Sequence, residues 1–122
     1  MAIEVWGIPN CGTVKKARAW LDAHGVAHRF VNFRETPPDV ATVRRWEAAF
    51  GEKAMRNTSG GSYRELGPEK DGWTPGQWVA AFARDPMLLK RPVVCRDGVP
   101  VCVGWNHGEV ELRKMFPEVR GG

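Results

Sequence analysis

The chain has 122 residues, 43% of them hydrophobic, and a net charge of +4. That length suits one domain, which commonly runs to about 100–150 residues. No apolar run approaches the roughly 20 residues needed to span a membrane. The basic side chains fall in small groups (Lys15, Lys16 and Arg18; Arg44 and Arg45; Lys90 and Arg91; Arg113 and Lys114). They form no single stripe interleaved with aromatics, so nucleic acid is not expected as a partner. The first residues show no basic stretch followed by an apolar one, which points to a cytoplasmic protein. The three cysteines, at positions 11, 95 and 102, are odd in number and sparse. They are no disulfide framework, and without a Cys-x-x-Cys pair they give no reason to expect a metal.

Ile3-Glu4-Val5-Trp6 reads as a short strand halted by Gly7-Ile8-Pro9-Asn10. From Thr13 to His24, Val14, Ala17 and Leu21 recur at helical spacing beside Trp20, with Lys15, Lys16, Arg18 and Asp22 on the other side. Gly25 suits the left-handed residue after the last turn. A second strand is expected over about 27–33, and the βαβ unit it completes should have parallel strands. Thr36-Pro37-Pro38-Asp39 reads as the start of a second helix, with Thr36 as its cap and proline in its first turn. Val40, Val43, Trp46 and Phe50 continue that helix and Gly51 closes it. Residues 57–72, rich in Gly, Ser and charge, read as loop with one turn of helix. Thr74-Pro75-Gly76-Gln77 has the pattern of a capping box, followed by the core stripe Trp78, Val79 and Phe82. Val93 to Arg96, Asp97-Gly98 and Val99 to Val103 form a hairpin signal. A last helix runs over about 107–116. The order is βαβ, helical insertion, ββα.

Cys11 stands between a strand end and a helix start. The first turn of a helix carries backbone N–H groups without partners and a partial positive charge. A thiolate placed there accepts them, whereas a free cysteine with a pKa of about 8.5 is only a few per cent ionised at neutral pH. Gly12 permits close backbone approach and Thr13 offers a hydroxyl.

Gly7-Ile8-Pro9-Asn10-Cys11-Gly12-Thr13-Val14-Lys15-Lys16-Ala17-Arg18 resembles the opening of the arsenate reductase (ArsC)/Spx/YffB family. Asn57 to Leu66 is similar to that family's middle segment, nearest the YffB branch. Lys90-Arg91-Pro92-Val93 and Gly98 to Trp105 resemble its Arg-Pro strand and following hairpin. The resemblance implies one thioredoxin-like domain over residues 1–122, with helices inserted at about 36–90. It also implies that Cys11 is the redox position, that the Arg91–Pro92 bond is cis, and that Arg91 faces Cys11 and holds an anion there.

Val14 stands three residues after Cys11, so a Cys-x-x-Cys mechanism is excluded and a monothiol route remains. An uninterrupted Asp97-Gly98 hairpin would pair Cys102 with Val93 and set Cys95 and Cys102 on one face; both read as buried core. The arsenate-reductase pattern uses three arginines and a histidine before the cysteine, and only Arg91 matches cleanly. The first arginine falls on Asn57, the third on Val103 and the histidine on Gly7, which leaves Arg56 and Arg64 as substitute sources of charge. The expectation is therefore a monomeric monothiol oxidoreductase with Cys11 as nucleophile and no bound cofactor. Its substrate is a small oxyanion or a glutathione mixed disulfide, with glutathione or a glutaredoxin as reductant. The alternatives are arsenate reductase proper and an Spx-like regulator that binds RNA polymerase.

Overall fold

Alternation at the start of the chain sets the frame. In β1 (Ile3–Gly7) of the computed structural model, which describes residues 2–120, Ile3 and Val5 are buried and Glu4 and Trp6 half-buried. β1 pairs in parallel with β2 (Arg29–Asn32) and antiparallel with β3 (Val93–Arg96), and β3 pairs antiparallel with β4 (Val99–Val103). The sheet order is β2-β1-β3-β4. Helix α1 (Gly12–Ala23) connects β1 to β2, and a short helix, Glu109–Met115, follows β4. A βαβ half joined to a ββα half in this order is a thioredoxin-like fold.

Two compact units are present. One combines the chain up to Asn32 with the chain from Arg91, and the other spans Phe33–Lys90. In the first, Val14 and Leu21 of α1 pack with Ile3, Val5, Val94, Cys102, Leu112 and Phe116 on one face of the sheet. Fully burying a side chain such as Leu21 stabilises the fold by about 1.5–3 kcal/mol. Gly25, at φ 70°, takes the left-handed position after α1 that the sequence assigns to it.

The hairpin differs from the expectation. Val93 pairs with Val103 and Val94 with Cys102, whereas Cys95 pairs with Pro100. Val101 is thus the extra residue of a β-bulge, which shifts the pairing by one beyond it. Cys102 therefore shares a face with Val94, and Cys95, its neighbour in β3, points to the other face. The expected placement of both cysteines on one face is corrected.

The second unit is helical: α2 (Val40–Phe50), α3 (Glu52–Met55), α4 (Gly61–Arg64) and α5 (Pro75–Arg84), with 3₁₀ turns at Pro68–Gly72 and Pro86–Leu88. The cap of α2 is Asp39, whose carboxylate accepts from the Thr42 amide, and not Thr36. Pro38 disfavours a helical conformation at Pro37, so both prolines precede the helix. The capping box of α5 forms as read: Thr74 accepts from the Gln77 amide at 3.2 Å and Gln77 from the Thr74 amide at 2.8 Å. Helix α3 and the turn at Pro68–Gly72 have no counterpart in the periodicity, because elements of four or five residues leave too few repeats to read. The last helix, Glu109–Met115 and hereafter α6, is shorter than expected. None of the helices among the described residues is long and apolar enough to cross a membrane.

Arg96, at the end of β3, ties down the chain beyond α6. It donates to Glu118 through Nε at 2.6 Å and Nη2 at 2.8 Å, and to the Met115 carbonyl at 2.8 Å. The bond from Arg96 holds the Glu118 carboxyl below its usual range. A carboxyl lowered in the folded state contributes stability above its unfolded pKa of about 4.3 and loses it as pH falls through the folded value. Arg96→Met is expected to destabilise by about 1–3 kcal/mol at neutral pH, measured by urea unfolding. The difference from wild type should shrink as the pH is lowered below about 4.

Candidate active site

β1 ends at Gly7, and the turn Ile8 to Asn10 delivers Cys11 to the N-cap of α1, where its backbone is extended at φ −89° and ψ 123°. The turn is closed by the Cys11 amide donating to the Ile8 carbonyl at 3.4 Å, and the helix is begun by the Lys15 amide donating to the Cys11 carbonyl at 3.0 Å. This geometry leaves the Cys11 side chain part-exposed at the helix start, with the Thr13 hydroxyl 3.5 Å from its Sγ. Burial, the strongest single influence, pushes the thiol pKa up. The Thr13 hydroxyl, the amides of Val14 and Thr13 and the Arg91 side chain act the other way, and their sum holds it below the ordinary thiol value. The ionised form is favoured because donors converge on the sulfur.

Arg91 arrives from the segment just before β3, the strand paired with β1. The Arg91–Pro92 peptide bond is cis, and β3 begins directly after it. Pro92 is held in place through its carbonyl, which accepts from the Gly104 amide at 2.8 Å. Gly104, at φ 76°, turns the chain there in a conformation that favours glycine. The only sequence signal for this role of Gly104 is a glycine directly after a β-branched strand. Gly7, which reads from the sequence as a strand stop and as the residue at the histidine position of the arsenate-reductase pattern, is buried against Val14 and close to Arg91.

Cys11, Gly12, Thr13, Arg91 and Pro92 all belong to the first unit; Arg56, Asn57 and Arg64 belong to the second. There Arg56 is committed to Glu52, with Nε at 2.7 Å and Nη2 at 2.6 Å from one carboxylate oxygen, and it lies over the Trp78 ring at 4.1 Å. Arg64 donates to the Ser59 carbonyl at 2.6 Å. The Asn57 amide donates to the Leu88 carbonyl at 2.8 Å, and its side chain accepts from Ser59. Cys95 and Cys102 are 2% and 3% exposed, and burial, helped by the neighbouring Cys95, pushes the Cys102 thiol up to about 12. Neither is an available nucleophile. Among the described residues, no group of three or more His, Cys, Asp or Glu is placed to hold a metal ion.

Fold and site together define a protein of the thioredoxin-like class, with one part-exposed cysteine at its first strand-to-helix junction. Residues 6–112 match the ArsC family, and the chain belongs to it. It is 32% identical over 110 residues to an uncharacterised protein of Haemophilus influenzae, covering 89% of this chain and 96% of that one. It is 27% identical over 99 residues to an arsenate reductase of Neisseria meningitidis, covering 79% and 85%. Among solved structures it is similar to a YffB protein, with a TM-score of 0.80, 29% identity and coverage of 96% and 97%.

Removing a donor to the sulfur should move its titration. The pH midpoint of Cys11 alkylation by iodoacetamide is expected to rise in Thr13→Val and in Arg91→Ala, since each removes an interaction that lowers the thiol pKa. At neutral pH both variants should alkylate more slowly than wild type. An unchanged midpoint in both would show that these side chains do not set the ionisation.

Proposed function

We propose that the protein is a monothiol oxidoreductase acting on mixed disulfides of glutathione, with Cys11 as its nucleophile. The observation that carries this reading is the contrast among its three sulfurs. Cys11 is part-exposed and favoured as thiolate, while Cys95 and Cys102 are buried in the sheet and sit on opposite faces of it.

The chemistry follows from that contrast. The Cys11 thiolate attacks the glutathione sulfur of the mixed disulfide, a new S–S bond forms, and the other thiol leaves as its thiolate. A second glutathione thiolate then attacks the sulfur of the glutathione held on Cys11. Glutathione disulfide departs and the Cys11 thiolate is regenerated. The thiol released from the mixed disulfide is reduced and one glutathione thiol is oxidised into glutathione disulfide, so the electrons balance within the thiol–disulfide exchange itself. The cysteine thiolate of a glutaredoxin can take the place of the second glutathione, leaving as the glutaredoxin–glutathione mixed disulfide. Arg91 and the amides of Thr13 and Val14 stabilise the thiolate both as attacking group and as leaving group.

The local bonds of the second unit also favour a disulfide over an oxyanion. A tetrahedral oxyanion normally requires several convergent donors. Here Arg56 is held by a carboxylate and Arg64 by a backbone carbonyl, and Asn57 and Val103 stand where the arsenate-reductase pattern has arginine.

The test is a coupled assay with glutathione, glutathione reductase and a glutathione mixed disulfide of a small thiol, run beside one in which arsenate replaces the disulfide. Turnover of the disulfide is expected in wild type, in Cys95→Ser and in Cys102→Ser, and none in Cys11→Ser. Turnover of arsenate alone, abolished by Cys11→Ser, would favour arsenate reduction instead.

A further inference from the structure

Gly7 is the last residue of β1, where its backbone pairs with Asn32 of β2. A Cβ built on it would stand 2.6 Å from Val14 Cγ2, closer than real side-chain carbons approach, and 3.7 Å from Arg91 Cβ. Val14 is 1% exposed and lies in the first turn of α1. A β-branched side chain in a helix has essentially one rotamer, so Val14 cannot swing aside. Close packing on its remaining sides leaves it no other place to go. A side chain at position 7 would therefore displace the helix start itself. That helix start carries the amides of Thr13 and Val14, and Arg91 lies against the same glycine.

We propose that Gly7 is a positioning residue for Cys11: its missing side chain lets the first turn of α1 seat on the end of β1, which holds the Thr13 and Val14 amides and Arg91 at the sulfur. Gly7, at the end of β1, thus lies beside both Val14 of α1 and Arg91 of the segment before β3. The charged group facing the sulfur is Arg91, and Thr13 adds an uncharged hydroxyl. Gly7 makes no contact with a substrate in this role; it acts through the backbone it admits.

The inference rests on the reading of Cys11 as an activated thiolate, and its test separates the two. The pH profile of Cys11 alkylation is measured in the full chain, in a Cys95→Ser/Cys102→Ser background, with folding followed by circular dichroism. Gly7→Ala is expected to move the midpoint up toward the ordinary thiol range and to slow alkylation at neutral pH several-fold. In a Val14→Ala background, which removes the obstructing methyl, the same Gly7→Ala change is expected to leave the midpoint where Val14→Ala alone puts it. Gly7→Val in that background refills the space and should raise the midpoint again, which keeps the test decisive should Gly7→Ala alone not fold.

A midpoint unmoved by Gly7→Ala, or moved equally in both backgrounds, overturns the role of Gly7 and leaves the activated Cys11 standing. A wild-type midpoint already at the ordinary thiol value overturns the activated thiolate itself, whatever the position 7 variants do.

Discussion

The site depends on one constraint, the double pairing of β1. Held by β2 on one side and β3 on the other, this strand cannot shift along its axis without breaking both ladders at once. Its C-terminal end is thereby a fixed point, and everything that acts on Cys11 is referred to it. The turn from Gly7 leads to the helix start, and the antiparallel partner β3 begins at Val93, directly after the Arg91–Pro92 pair. Two segments more than seventy residues apart in the chain are thus brought to one sulfur by sheet pairing alone.

The ionisation of Cys11 is a balance and not the product of one contact. Partial burial opposes the charge, and a hydroxyl, two amides and a guanidinium together outweigh it. Each donor is modest, but all come from backbone or side chains already fixed by the fold, so little is lost in orienting them when charge develops. The same fold treats Cys102 in the opposite way. Cys102 lies in the core between the sheet and α1 and α6 without enough donors to offset its burial.

Much of this was legible in the sequence, for reasons that differ by element. The 3-4 spacing of Val14, Ala17 and Leu21, the Thr74–Gln77 capping box and the Asp97-Gly98 turn are local signals, and each formed as read. Cys11 at a helix start was likewise a matter of local order along the chain. The bulge at Val101 was not legible, because alternation of β-branched residues looks the same with or without one extra residue. Nor was the cap of α2, where Thr36 and Asp39 both carry a side chain suited to the task and only the conformation imposed by the two prolines decides between them. The local engagement of Arg56 is not legible either. Glu52 lies four residues before it, but the burial of that pair beside Trp78 is a tertiary fact. Contacts between residues distant in sequence, such as Gly7 with Val14 and Arg91 or Gly104 with Pro92, are visible only in three dimensions.

The burial of Cys95 and Cys102 has a consequence for how this protein ages in an oxidising environment. An oxidant that converts Cys11 to its sulfenic acid leaves a group that a neighbouring thiol would ordinarily trap as a disulfide, safe from further attack. Both other sulfurs are locked in the sheet as buried thiols on opposite faces of it. The lifetime of the sulfenate, and with it the choice between recovery and irreversible conversion to the sulfinic form, is then set by the concentration of small thiols around the molecule. Chemical durability here is a property of the surroundings and not of the chain.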